Sequence, residues 1–150
     1  MSYIIESIDP RHKDAARLLD ELSEILKEIT GASGRASFNS DDIDHEKAEF
    51  LLARDKKGEP IGCGGFRPID KTTAEIKRMY SKVPGLGKMI LLDLENRAAL
   101  LGFSRLILET RKINQKAVSF YLANGYFIIE NFGKYKDRPE AVCFEKRLRK

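Results

Sequence analysis

Residues that bind metals or form disulfides are scarce in this sequence, whose 150 residues include two cysteines and two histidines. Cys63 and Cys143 lie in apolar, strand-like segments, with no histidine or cysteine at the spacing of a metal site. We therefore expect no bound metal and no disulfide framework. Two reduced cysteines in the core are typical of a cytoplasmic protein, which is the location we expect.

Long hydrophobic runs are absent as well. No apolar stretch approaches the roughly 20 residues that an α-helix needs to cross a membrane. Glu6 interrupts the first apolar residues too early for a signal peptide. We therefore expect no interaction with a membrane.

Neither charge is in large excess, because 27 basic residues face 23 acidic ones and the net charge is +4. This charge could favour an anionic ligand, but it is too small and too dispersed to indicate binding to nucleic acid. A length of 150 residues and a hydrophobic content of 42% suit one globular domain, over residues 1–150.

The hydrophobic pattern predicts the element order β-α-β-β-β-α-β-α-β-β. The predicted strands span residues 3–8, 49–55, 60–69, 73–81, 105–110, 126–130 and 141–146, and the predicted helices span 10–29, 86–101 and 114–124. Asp9 is predicted to cap the first helix, with Pro10 at its first position. Gly62, Gly64 and Gly65 indicate a bulge or a close backbone approach. Because strand–helix–strand units favour parallel pairing, we expect an α/β fold with a mixed central sheet and helices on both faces.

A glycine-containing turn, KVPGLGK at residues 82–88, joins a predicted strand to a predicted helix. This arrangement directs bare backbone N–H groups and the positive end of a helix dipole toward phosphate. A Walker A loop would need glycine at position 82 and serine or threonine at 89, where the chain has Lys82 and Met89. A dinucleotide fingerprint would need glycine at position 90, which is Ile90. Neither motif is present.

Two patterns in this region resemble those of the GNAT acetyltransferases. K-x-x-G-x-G, at residues 82–87, resembles that family's Q/R-x-x-G-x-G/A pyrophosphate loop, and NQKAVSFYLANGY, at residues 114–126, resembles its N-x-x-A-x-x-[LF]-Y-x-x-x-G-[FY] segment. The predicted element order is also that of the GNAT fold. The resemblance implies an N-acyltransferase that moves an acetyl group from acetyl-CoA directly to a primary amine, without a metal. The absence of a convincing Cys–His pair favours direct attack over a cysteine acyl-enzyme.

The resemblance also implies which residues hold acetyl-CoA. The backbone at the end of the predicted fourth strand would pair with the pantetheine arm, and the turn and the start of the helix would bind the pyrophosphate. The implied cofactor-binding residues are Met79, Ser81, Lys82, Gly85, Leu86, Gly87, Lys88 and Asn114. The loop departs from the family pattern, because Lys82 replaces the usual arginine or glutamine and Pro84 removes one amide donor. Asn114 has a second interpretation, as the cap of its helix.

The predicted central strand at 73–81 carries several charges, which are costly there unless they are paired or lie beside a water-filled cleft. The resemblance implies that Glu75 is the general base that exposes the lone pair of the amine, with Glu109 as a rival base or a binder of the ammonium group. Arg78 is a further candidate for substrate binding. The alternative is an internal ion-pair ladder among Glu75, Lys77 and Arg78. Strict alternation would place Glu75, Lys77 and Met79 on one face and Ile76, Arg78 and Tyr80 on the other.

Tyr121 is implied by the resemblance to protonate the departing thiolate of CoA, and otherwise it would be a core aromatic residue. The expected acceptor is a small amine or an amino-acid-like molecule, with a peptide or protein amine as the second choice. A catalytically idle acyl-CoA-binding module is the alternative function, because the segment between Tyr80 and the loop is several residues shorter than is usual in the family. The sequence leaves open whether the chain forms a homodimer. By the resemblance, the polar loop at 31–44 borders the acceptor site and His45 ends that loop.

Overall fold

The computed structural model describes residues 3–33 and 46–148, so most of the predicted acceptor loop and His45 lie outside the described residues. The strands are β1 (Ile4–Ser7), β2 (Glu49–Arg54), β3 (Pro60–Pro68), β4 (Thr73–Ser81), β5 (Arg105–Arg111), β6 (Phe127–Ile129) and β7 (Ala141–Arg147). The helices are α1 (Lys13–Thr30), α2 (Leu86–Leu100) and α3 (Gln115–Ala123), with a 3₁₀ turn at Gly133–Tyr135. The predicted element order is confirmed. None of these helices is both long and apolar enough to span a membrane.

The strands form one seven-stranded sheet in the order β1-β2-β3-β4-β5-β7-β6. Strands β4 and β5 are parallel, and the other neighbours are antiparallel. Along β2, Phe50 and Leu52 pack with α1, whereas Leu51 and Ala53 pack with α2, because successive side chains point to opposite faces of a sheet. The predicted mixed sheet with helices on both faces is therefore confirmed.

The first helix begins three residues later than predicted. His12 is its N-cap and accepts a hydrogen bond from the Asp14 amide at 3.1 Å. Asp9, the predicted cap, instead accepts hydrogen bonds from the backbone and the guanidinium of Arg11. The carboxylate of Asp9 thus stabilises the turn that precedes the helix. At the other end, Gly31 adopts the left-handed conformation (φ 82°) and its N–H donates to the Lys27 carbonyl at 2.9 Å.

Strand β4 contains a β-bulge. In its register with β3, Cys63 pairs with Tyr80 and Gly65 pairs with Lys77, so three steps along β4 match two along β3. Arg78 lies in this bulge, where its backbone adopts a positive φ of 58°. A second bulge lies in β3 beside Gly62, because Ala53 pairs with Gly62 and Arg54 with Pro60. The predicted close backbone approach is at Gly65, where a Cβ would lie 2.7 Å from the Glu49 carbonyl oxygen.

The bulge overturns the strict alternation predicted for β4. Glu75 and Lys77 do share a face, which is the α1 side of the sheet. Beyond Lys77 the pattern inverts. Arg78 also turns to the α1 side, where it contacts Ser23, and Met79 turns to the α2 side, against Gly64 and Ile90.

Both cysteines are buried with free thiols, as predicted. Burial raises the pKa of the Cys63 thiol to about 12. This thiol is therefore protonated at neutral pH and behaves as an apolar core side chain.

Gly65→Ala should lower the free energy of unfolding by about 1–3 kcal/mol. An added Cβ would lie 2.7 Å from the Glu49 carbonyl oxygen, which is backbone and cannot rotate away. Gly87→Ala is the control, because the nearest heavy atom to its Cβ would be 3.4 Å away. Urea denaturation of both variants checks this, and equal stability would contradict the close approach at Gly65.

Candidate active site

The parallel strands β4 and β5 separate before they end. They pair from Thr73↔Arg105 to Glu75↔Ile107, but β4 continues to Ser81 and β5 to Arg111. The space between them is a cleft with two connected parts. The inner cavity, of about 150 Å³, is lined by Leu22, Leu26, Thr30, Ala32, Glu75, Ile76, Lys77, Arg78, Met79, Leu108, Glu109, Thr110, Arg111, Asn114, Ala117, Tyr121 and Tyr135.

The outer cavity, of about 510 Å³, lies between α1, α3 and the end of β4. Met79, Asn114 and Tyr121 line both cavities. Ser81, Lys82 and Gly87 line only the outer one. Five of the predicted cofactor-binding residues thus line the same cleft as the predicted acceptor-side residues, whereas Gly85, Leu86 and Lys88 line neither cavity.

The edge of β4 that faces this cleft is open. On the opposite edge, the Lys82 amide donates to the Ile61 carbonyl of β3 at 2.8 Å. Because peptide groups alternate between the two edges of a strand, the main-chain groups of Ser81 and Met79 point toward the cleft. An extended ligand can therefore add to β4 as a further strand.

The glycine turn is a tight reversal that leads directly into α2. The Leu86 amide donates to the Val83 carbonyl at 3.2 Å, and Gly85 at the third turn position has φ 84°. Proline followed by a left-handed glycine is typical of a type II turn, which explains Pro84. The Leu86 amide is thus already engaged and its side chain is fully buried, so Gly87 and Lys88 are the better candidates for amide donors.

The start of α2 suits an anion, since its first turn contains no acidic residue and the first N–H groups of a helix lack partners within the helix. Lys88 is exposed there and forms no ion pair within the described ranges. The Nζ of Lys82 lies 3.4 Å from Oε2 of Glu21 on α1. Two lysines therefore flank the place where a phosphate group would lie.

Asn114 caps α3, because its Oδ1 accepts a hydrogen bond from the Ala117 amide at 3.3 Å. The capping interpretation is confirmed. The side-chain Nδ2 has no hydrogen-bond partner in residues 3–33 and 46–148. Since Asn114 lines both cavities, that N–H group can donate to a ligand while the carbonyl oxygen holds the helix.

Tyr121 lies at the junction of the two cavities and is 7% exposed. Its ring contacts Phe120 and Tyr126 edge-to-face, with centroids 5.1 Å and 5.6 Å away. Its hydroxyl makes no hydrogen bond within the described part of the chain. Burial raises the pKa of the phenol well above its usual range, so the group carries a proton at neutral pH.

Glu75 is 2% exposed and lies between two cations. Its Oε1 accepts from Arg67 at 3.0 Å and its Oε2 pairs with Lys77 at 3.1 Å. The predicted ion-pair ladder is confirmed only for Glu75 and Lys77, because the second cation on Glu75 is Arg67 of β3 and the guanidinium of Arg78 donates to α1. Burial lowers the pKa of Lys77, although Glu75 opposes this. The role of Glu75 as a base stays a prediction.

The guanidinium of Arg78 binds α1 and the residues that follow it. It donates to Ser23 Oγ, to the Leu19 carbonyl at 3.2 Å and to the Ser33 carbonyl at 3.1 Å. These contacts hold α1 against the bulge of β4. A role of Arg78 in substrate binding stays a prediction.

Glu109 projects from β5 into the inner cavity beside Arg111, which the sequence interpretation did not single out. Arg111 Nη1 donates to Glu109 Oε2 at 2.8 Å. Burial raises the pKa of Glu109 above its usual range, although Arg111 opposes this. The other oxygen, Oε1, has no hydrogen-bond partner among the residues described. Arg111 was missed because the predicted strand ended at residue 110, whereas β5 continues to Arg111 and so places both side chains on one face.

Comparison with known proteins agrees with this architecture. The model of the Acetyltransferase (GNAT) family matches residues 15–126. A curated relative, the IAA acetyltransferase of Azospirillum brasilense, is 26% identical over 144 residues, which cover 93% of this chain and 94% of the relative. A structure from Klebsiella pneumoniae, described as that of an acyl-CoA N-acyltransferase, is 28% identical with a TM-score of 0.80 and covers 97% of each chain.

A GNAT family acetyltransferase from Elizabethkingia anophelis, solved with acetyl-CoA bound, shares the fold with a TM-score of 0.68 and 19% identity, covering 97% of this chain and 98% of that one. The fold and the cleft define an acyltransferase of the GNAT type. Since the family model matches most of the sequence, the chain belongs to the GNAT acetyltransferase family. It is an acyl-CoA-dependent N-acetyltransferase.

The two carboxylates should respond differently to neutralisation. Glu75→Gln leaves Lys77 and Arg67 without their shared counterion and should cost about 3 kcal/mol of unfolding free energy. Glu109→Gln should stabilise the protein at neutral pH, because the raised pKa of Glu109 means that its charged form is disfavoured in the folded state.

The pH dependence of stability checks whether Glu109→Gln is stabilising. A carboxyl group whose pKa is raised by folding lowers stability above its unfolded pKa, so the advantage of Glu109→Gln should vanish near pH 4. Denaturant titrations at both pH values measure this. Destabilisation by Glu109→Gln at neutral pH would contradict the unfavourable burial of that charge.

Proposed function

We propose that the protein transfers the acetyl group of acetyl-CoA to the primary amine of a small molecule by direct attack. The observation that carries this proposal is the continuous cleft between β4 and β5, which joins an open strand edge and a helix N-terminus to a small inner cavity that contains Glu109. The inner cavity, of about 150 Å³, has room for a small acceptor.

The residues of the outer cavity suit acetyl-CoA. Main-chain groups of Met79 and Ser81 would bind the pantetheine arm, and the Asn114 amide group could donate to it. The amides of Gly87 and Lys88, with the lysines at positions 82 and 88, would hold the pyrophosphate. The relative from Elizabethkingia anophelis, which has the same fold, was solved with acetyl-CoA bound.

Glu109 is the better-supported general base. Protonation of Glu75 would leave two cations facing each other without a counterion, since both of its oxygens are engaged. Glu109 has one oxygen available, and its raised pKa brings its proton affinity closer to that of a base working near neutral pH. In this proposal Glu75 neutralises the buried Lys77 and the half-buried Arg67, and Glu109 takes the proton from the amine.

In the same proposal Tyr121 acts as the general acid. The amine nitrogen forms a bond to the thioester carbonyl carbon and the carbon–sulfur bond breaks. Glu109 accepts the proton that the nitrogen loses, and the Tyr121 hydroxyl donates a proton to the departing sulfur. The phenol is protonated at neutral pH, and its position between the two cavities is where the thioester would lie.

Gly87→Val should weaken acetyl-CoA binding roughly tenfold or more, because a bulky side chain would cover the amides that bind the phosphate groups. The site is narrow, since even a Cβ would lie 3.4 Å from the Phe120 ring. Leu92→Val is the matched control, on the same helix and 42% exposed. Titration calorimetry measures both affinities. Equal binding by Gly87→Val and the parent would exclude this loop as the phosphate site.

The acid and the base can be tested in one assay that detects thiol release over a panel of small amines. Tyr121→Phe and Glu109→Gln should each lower turnover by roughly 10²–10⁴-fold with little change in acetyl-CoA affinity. Glu75→Gln, assayed below its melting temperature, should retain most of its turnover. If Glu75→Gln lost much more turnover than Glu109→Gln, Glu75 would be the general base instead. Binding of acetyl-CoA without turnover on any amine would indicate an idle binding module.

A further inference from the structure

Glu109 and Arg111 form an acid–base pair inside the inner cavity. They are two residues apart on β5 and therefore on the same face of the sheet. Their side chains are 10% and 24% exposed, and both line the inner cavity. The carboxylate thus lies deeper and the guanidinium lies nearer to solvent.

Both members of this pair retain unused hydrogen-bonding groups. Only Nη1 of Arg111 is engaged, by Glu109 Oε2, so Nε and Nη2 have no partner among residues 3–33 and 46–148. Glu109 Oε1 is equally available. A ligand can therefore receive hydrogen bonds from the guanidinium while it donates one to the carboxylate.

Both signs of charge line the part of the inner cavity that the structure describes, where Lys77, Arg78 and Arg111 lie beside Glu75 and Glu109. A ligand that carries both an ammonium and a carboxylate group can therefore meet a charge of the opposite sign with each of its groups.

We propose that the acceptor is an α-amino acid, or a close analogue with an anionic group on the carbon that bears the amine. Arg111 binds the carboxylate and Glu109 receives the ammonium group. The two groups of an α-amino acid are attached to one carbon, so they require a cation and an anion that are themselves adjacent, as Glu109 and Arg111 are at 2.8 Å. The fork of donors in arginine suits a carboxylate.

The position of Arg111 fixes the orientation of the substrate. Arg111 also borders a shallow cavity at the surface, together with Thr30, Lys112 and Glu140. The carboxylate of the acceptor therefore lies at the entrance. Its amine points inward, toward Glu109 and the junction at Tyr121, where the acetyl group would be presented. This inference rests on the function proposed above and names its substrate class.

The test compares each α-amino acid with the amine formed by removing its carboxylate, using the thiol-release assay. In the parent protein kcat/KM should favour the amino acid at least tenfold. In Arg111→Ala this ratio should fall to about one, because the loss of a charged hydrogen bond corresponds to roughly 10–100-fold in affinity. The ratio is the readout, since any effect of Arg111 on the basicity of Glu109 acts on both substrates and cancels.

Two further variants make the result decisive. Arg111→Lys keeps a charge but loses the fork, so it should give an intermediate ratio. Arg105→Ala should leave the ratio unchanged, because Arg105 lies on the same strand and also pairs with a buried glutamate, Glu145, but does not line the cavity.

Equal or faster acetylation of the decarboxylated amines by the parent would overturn the inference and leave the proposed acetyl transfer intact. An unchanged ratio in Arg111→Ala would show that Arg111 only positions Glu109, and would overturn it as well. Failure of every amine to release thiol would instead remove the proposed function on which the inference rests.

Discussion

Strands β4 and β5 are joined in parallel over three residue pairs, and the cleft between them opens where that contact ends, at Glu75. Beyond it, β4 remains paired with β3 on one edge only. An open strand edge in the middle of a sheet leaves backbone groups without partners, which a ligand or water must satisfy. The hydrogen bonds from Arg78 to α1 and the packing of Met79 against Gly64 hold this part of β4 in place, although β5 is not paired with it.

Because β4 and β5 separate, charged side chains can lie in the middle of the sheet beside the cleft. Glu75 is held between Arg67 and Lys77, so its negative charge stabilises two cations that would otherwise be costly to bury. Glu109 has one cationic partner, a free oxygen and a raised pKa. In the proposed mechanism these two glutamates, on neighbouring strands and facing the same cavity, therefore take different roles, Glu75 a structural one and Glu109 a reactive one.

Much of this architecture could be predicted from the sequence, because local patterns specify it. The element order follows from hydrophobic periodicity, and the tight turn before α2 follows from its two glycines. The bulge could not be predicted, since Arg78 is not a residue that favours positive φ and the register with β3 imposes that conformation. Arg67 was missed as the partner of Glu75 because it lies on another strand. The late start of α1 was missed because Asp9 binds Arg11 instead of the helix.

The central claim is that the open edge of β4 binds acetyl-CoA as an added strand would. NMR-detected hydrogen exchange measures this directly, residue by residue, with and without saturating acetyl-CoA. The account predicts that exchange of the Met79 and Ser81 amides slows on binding, whereas exchange in β7, which is paired on both edges, does not change. Unchanged exchange at both Met79 and Ser81 in the saturated complex would contradict it.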